Sequence, residues 1–131
     1  MDYKIILVAI IHKNFKKILL IKRNRVPFVG KWSLPGGAGA LLKEQDPEKA
    51  IKIEVEQDFG VGFEGAFYTY SFEKQPEPTI KLFFRGSLNK EPSIKSTKTI
   101  MEMGWFGIDE ISKLDIAFND KEVIERFFKG Q

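Results

Sequence analysis

The stretch Trp32-Ser33-Leu34-Pro35-Gly36-Gly37 and the run Glu54-Val55-Glu56-Gln57-Asp58-Phe59-Gly60-Val61 decide how this chain is read. Pro35-Gly36-Gly37-Ala38-Gly39 lets the backbone turn sharply and approach a ligand closely. Asp46-Pro47 reads as a helix start, with Asp46 as N-cap and Pro47 at the first helical position. Ala50 to Phe59 carries that helix, and Gly60 is suited to end it. Ile51, Val55 and Phe59 recur at i, i+4 and i+8 and form a buried stripe. Glu54, Gln57 and Asp58 are neighbours on a face turned by roughly 100° from that stripe. Taken alone, these acids read as a solvated helix face. Behind a glycine turn they also read as oxygen ligands for a divalent cation beside a phosphate chain. Adjacent carboxylates repel unless a cation or a proton lies between them.

Outward from this segment, Tyr3 to Ile11 is rich in Ile and Val and reads as a buried strand. A polar turn over Lys13 to Lys17 and a second strand over Ile18 to Ile21 suggest a hairpin. Arg23 to Lys31 reads as a loop broken by Pro27 and Gly30. Three strands follow: Phe67 to Phe72, Thr79 to Phe84 extending toward Leu88, and Ile100 to Phe106. A short helix begins at Ile108. Asn119 to Lys129 is amphipathic, with Val123, Ile124, Phe127 and Phe128 as its apolar face. The order ββ-α-βββ-α predicts an α/β protein, a mixed sheet flanked by helices.

The bulk properties narrow the chemistry. With 131 residues, 43% hydrophobic and 30% charged, the expectation is one globular domain over residues 1–131. There is no cysteine and a single histidine, His12. That excludes a disulfide framework, a thiolate site and a multi-histidine zinc site within one chain. Any metal would be held by oxygen, which suits Mg²⁺, Mn²⁺ or Ca²⁺. A net charge of +3 favours the approach of an anionic small molecule and falls short of a nucleic-acid footprint. The apolar N-terminal run is too short to span a membrane and is not followed by a small-residue cleavage site. The expected location is cytoplasmic, with neither nucleic acid nor membrane as a partner.

The two defining stretches, with Ala50 between them, resemble the Nudix box of the Nudix hydrolases, written G-x5-E-x7-R-E-U-x-E-E-x-G-U with U aliphatic. Ile18-Leu19-Leu20-Ile21-Lys22-Arg23 is similar to that family's strand ending in a basic residue. Trp105-Phe106 followed by Asp109-Glu110-Ile111 is similar to its late W-F-x-x-D-E-aliphatic stretch. The resemblance implies an α/β/α sandwich with a mixed β-sheet. It also implies hydrolysis of a nucleoside diphosphate linked to another moiety, using Mg²⁺ or Mn²⁺, with water attacking phosphorus while metals neutralise the developing charge. Gly37 matches the first glycine of the box, Glu54 the glutamate after the arginine, Asp58 the second of the paired glutamates, and Gly60-Val61 the terminal pair. Arg25-Val26-Pro27-Phe28-Val29-Gly30-Lys31-Trp32 resembles the R-x-P-F-x-G-x-W entry of ADP-ribose-type members. Arg23 or Arg25, with Gly36 and Gly37, would then meet a diphosphate. Tyr68, Tyr70 or Phe72 would stack on a base, although core packing explains such aromatics more simply. A homodimer is compatible with the resemblance.

Four departures bear on chemistry. The Gly37-to-Glu54 spacing is two residues too long, and Gly39 restores it. Gln45 stands where the early glutamate belongs, with Glu44 next to it. Ile53 replaces the arginine and Gln57 the first paired glutamate, so one charge of each sign is lost at positions four apart. Glu54, Gln57 and Asp58 are the expected metal ligands, Gln57 through a weaker amide oxygen. Glu54 is the expected catalytic acid or base, with Glu102 as a compensating acid outside the box and Glu44 second. Two readings follow: a metal-dependent pyrophosphohydrolase acting on a nucleotide-type, ADP-ribose-like substrate, and a catalytically impaired nucleotide-binding or regulatory module. A protein-interaction domain is a third.

Overall fold

The computed structural model describes residues 3–74 and 77–130, and for Lys43 the backbone alone. Met1 and Asp2, part of the apolar N-terminal run, lie outside the described residues. Strand β1 (Lys4–Lys13) is the central strand, and Leu7 to Ile11 are buried on both of its faces. This is why its apolar residues run on without polar alternation. β1 pairs in parallel with β6 (Thr79–Leu88), from Lys4 opposite Thr79 to Ile11 opposite Gly86. β6 in turn pairs antiparallel with the outer strand β5 (Phe63–Glu73).

On its other side β1 divides its hydrogen bonds. Leu7 and Val8 pair with Gly37 and Gly36 of β4 (Gly36–Gly37), and His12 and Lys13 pair with Ile18 and Lys17 of β2 (Lys17–Arg23). The expected hairpin therefore exists only at its mouth, where Asn14 and Phe15 turn the chain with φ of 52° and 59°. Beyond it β2 leaves β1 and pairs with β7 (Ile100–Phe106) and with β3 (Trp32–Ser33). The result is a mixed sheet in the order β3-β2-β1-β6-β5, with β4 on β1 and β7 on β2.

Helices cover both faces. Helix α1 (Ala40–Lys43) is a single turn not expected from the sequence, and it leads into α2 (Pro47–Phe59). Asp46 Oδ1 accepts the Glu48 N–H at 3.1 Å, and Gly60 ends α2 in the left-handed region at φ 70°. The stripe Ile51, Val55 and Phe59 packs against Leu7, Ala9, Ile11, Ile21 and Phe84. Each buried side chain of this kind contributes about 1.5–3 kcal/mol of transfer free energy. After the short α3 (Ile108–Ile111), helix α4 (Asp120–Phe128) closes the opposite face, placing Val123, Ile124 and Phe127 on Val8, Ile10, Leu20 and Phe83. The α/β/α layering predicted from sequence is thus the one observed. Among the described residues, no helix is long and apolar enough to cross a membrane.

Candidate functional site

The segment before α2 is fixed from three directions. Trp32 N donates to Asp115 O at 3.0 Å, and its carbonyl accepts from Ala117 N at 2.8 Å, while its indole meets Phe106 edge-on at 5.0 Å. Trp32 is thus packed on the α4 side of the sheet rather than exposed to a ligand. Leu34 N donates to Asp120 Oδ2 at 3.0 Å, and Pro35 O accepts from Ala9 N at 2.8 Å. Asp120 is buried and draws a second hydrogen bond, at 3.3 Å, from Lys81, which is buried as well. Burial pushes the Asp120 carboxyl above its usual value, with the Lys81 charge and the Leu34 N–H acting against that rise. Sequence reasoning did not find this pair, because a lysine inside a strand carries no sign of being buried.

The two glycines of the turn do different work. Gly36 has φ 150°, and a Cβ there would lie 2.2 Å from Leu7 O, so glycine alone lets β4 lie against β1. A Cβ on Gly37 would lie 3.0 Å from Glu54 Oε1 and 3.7 Å from Arg25 Nη2. Arg25 Nη2 also donates to Gly36 O at 3.3 Å. Gly39 has open space around it. The glycine that meets Glu54 is therefore Gly37, despite the longer spacing, and α1 takes up the extra residues.

A cleft of about 370 Å³ opens beside this turn. Ile21 and Ile100 lie in its wall, with Gly36, Arg25, Glu54 and Asp58 around them. The remainder comes from Lys95-Ser96-Thr97-Lys98-Thr99, the segment entering β7. Ser96 Oγ donates to Asp58 Oδ1 at 2.7 Å, and Lys95 N donates to Asp58 O at 2.8 Å, so this segment is bound to the last turns of α2. Lys95 and Lys98 were not among the site residues expected from the sequence. The signal available was their alternation with hydroxyl residues just ahead of a strand.

Other expected site residues are placed elsewhere. Arg23 is buried in the entry loop, where Nε donates to Pro27 O at 2.7 Å and the guanidinium lies 4.9 Å from the Phe118 ring centre. Burial and then the nearby Arg25 charge lower its pKa, with Asp120 opposing. Gln57 is exposed on α2 and does not line the cleft. Glu102 stands opposite Lys22 across the β2–β7 ladder and pairs with it at 3.3 Å. Lys22 faces the α4 side, with its ammonium 6.0 Å from the Trp32 ring centre. Residues directly opposite on neighbouring strands share a face, so Glu102 lies on the far side of the sheet from α2. Glu44 Oε1 accepts from Asp46 N at 3.1 Å in the turn before α2. Tyr68 packs edge-on against Phe127 of α4, and Tyr70 and Phe72 are exposed on β5 outside the cleft.

The divalent-metal chemistry that the resemblance implies needs oxygen donors placed around one point. Mg²⁺ takes six oxygens, usually several waters and substrate phosphates beside one or two carboxylates. Among the described residues no group of three or more acidic or histidine side chains is placed to hold one ion. Glu54 and Asp58 remain, Asp58 already accepting from Ser96, and Arg25, Lys95 and Lys98 share the cleft with them. Two carboxylates would hold such an ion only with water and substrate phosphates completing its shell, and the three neighbouring cations oppose its charge.

A mixed sheet between helical layers, with a glycine turn laid against a helix bearing Glu54 and Asp58, defines the class as a Nudix fold. The chain belongs to this family: the NUDIX domain model matches residues 3–127. The fold is similar to that of a MutT NUDIX hydrolase from Burkholderia pseudomallei, with TM-score 0.81, 24% identity, and coverage of 95% of this chain and 98% of that one. It is similar also to the NUDIX domain of Shewanella oneidensis NrtR complexed with ADP ribose, with TM-score 0.80, 16% identity, and coverage of 99% and 89%. A third likeness is to a bifunctional NMN adenylyltransferase/ADP ribose pyrophosphatase from Francisella tularensis, with TM-score 0.76, 16% identity, and coverage of 98% of this chain and 41% of that one. No curated protein matches the chain significantly.

Proposed function

We propose that this domain binds the diphosphate of a nucleotide-type ligand, ADP-ribose-like in class, and that its hydrolytic activity is impaired. The observation that carries this reading is the meeting of Gly36, Gly37, Arg25, Glu54 and Asp58 at one cleft. The ADP-ribose complex of a structurally similar NUDIX domain supports the ligand class. The impairment follows from the positions of the remaining acids. Glu102 pairs with Lys22 on the other face, Glu44 caps a turn, and Gln57 is neutral and outside the cleft. A competent Mg²⁺- or Mn²⁺-dependent pyrophosphohydrolase is the second reading. It is favoured by Glu54, which keeps its place against the glycine turn.

The two readings separate in one panel. The protein is incubated with ADP-ribose, dinucleotides and nucleoside triphosphates in Mg²⁺ and in Mn²⁺, with product formation and thermal unfolding followed together. Nucleotide-dependent stabilisation without comparable turnover is expected. Brisk wild-type turnover that Glu54→Gln abolishes would establish the hydrolase instead.

A further inference from the structure

Within the cleft, the stretch Lys95–Thr99 supplies chemistry of the opposite sign to α2. Thr99 N closes on Ser96 O at 3.1 Å, a tight turn that leaves the amides of its central residues, Thr97 and Lys98, outside its own hydrogen bonding. The Lys95 stem crosses Gly60, where a Cβ would lie 2.8 Å from Lys95 Cε. Gly60 adopts its left-handed φ without strain, and the flexible Lys95 stem lies across it. Arg25 enters from the other loop and is held against the glycine turn through Gly36 O. Three cations therefore meet two carboxylates in a space of about 370 Å³, and hydroxyls of Ser96 and Thr97 stand among them. With both carboxylates ionised, the balance is positive. Charge-assisted hydrogen bonds from guanidinium and ammonium groups to phosphate oxygens are among the strongest available to a protein.

We propose that this cleft holds phosphate groups directly through Arg25, Lys95 and Lys98, with no divalent cation between protein and ligand. The proposal rests on the reading of the cleft as a diphosphate site and adds how the phosphates are held. It reverses the role of the α2 acids. In a metal-bridged site Glu54 is needed for the ligand to bind. In a direct site an ionised Glu54 repels the ligand, and Asp58 serves to hold the turn through Ser96.

The test is calorimetric titration of the full chain with inorganic pyrophosphate, in EDTA and in Mg²⁺, with ADP-ribose in parallel. Arg25, Lys95 and Lys98 are exposed, so Arg25→Ala, Lys95→Ala and Lys98→Ala leave the core intact; thermal unfolding checks this for each, and Lys98→Glu serves as a second variant. Pyrophosphate is expected to bind in EDTA, each alanine variant to weaken it by about tenfold, and Glu54→Gln to tighten it. Binding that requires Mg²⁺, that Glu54→Gln abolishes, or that none of the cation variants weakens would overturn the proposal. If pyrophosphate binds in neither buffer while ADP-ribose binds, direct phosphate capture falls and the nucleotide-binding reading stands. If neither probe binds, both fall.

Discussion

Gly36, Gly37 and Gly39 look interchangeable as letters, and the structure gives them three different tolerances. A methyl on Gly36 would meet the backbone of β1 at 2.2 Å and demand φ 150° of a residue with a Cβ. Gly36→Ala should lose about 2 kcal/mol or more, read as a lower urea midpoint. A methyl on Gly37 would press on Glu54 Oε1 at 3.0 Å, which a small carboxylate shift relieves. Gly37→Ala should therefore leave stability nearly unchanged and alter ligand affinity. Gly39→Ala meets nothing and should stay within about 0.5 kcal/mol of wild type. If Gly39→Ala perturbed affinity and Gly37→Ala did not, the assignment of Gly37 as the glycine facing Glu54 would be wrong. The sequence alone left both glycines open, since motif counting favoured Gly39 and the Pro-Gly-Gly turn favoured Gly37. Only the helical turn α1 decides between them, and four residues of weak pattern do not announce it.

At the scale of elements, α2 was legible almost to its ends because cap, stripe and terminal glycine agree. β7 and α4 were legible for the same reason, through apolar patterns of the right period and length. What the sequence hid was partnership. β2 reads as one arm of a hairpin, yet its longest pairing is with β7, more than seventy residues on. That pairing puts Glu102 opposite Lys22 and so on the wrong face to complete an acid cluster. The tie from α4 to the glycine segment was equally hidden, since it depends on a buried Lys81–Asp120 pair. Removing the cation alone, as in Lys81→Met, strands a buried carboxylate and should destabilise the fold by about 3–5 kcal/mol, measured by denaturant unfolding. The pH dependence has a defined sign. Burial raises the Asp120 pKa in the folded state, so its contribution to stability is full below the unfolded value of about 3.9 and is lost as pH rises through the folded value. Asp120→Asn keeps an acceptor for Leu34 N and does not titrate. Subtracting its stability profile from that of wild type should leave a difference that falls with pH in this window. A rising difference would contradict the assignment.

For the whole molecule, the family was legible and the balance of charge at its site was not. Glu54 and Asp58 could be matched to the box one by one. Lys95 and Lys98 could not, because they lie outside it and reach the cleft only through the close fit of their segment on the end of α2. The same fit ties up an Asp58 oxygen that a metal site would use. The proposed reading is thus of a Nudix domain with a cleft for a nucleotide diphosphate and only Glu54 and Asp58 left of the acids that hydrolysis would use. Its most direct test is titration of the full chain with ADP-ribose in Mg²⁺, followed by chromatography of the same sample after prolonged incubation. Saturable binding at one site is expected, with the ADP-ribose recovered almost intact. Rapid conversion to AMP and ribose 5-phosphate, or no binding at all, would contradict it.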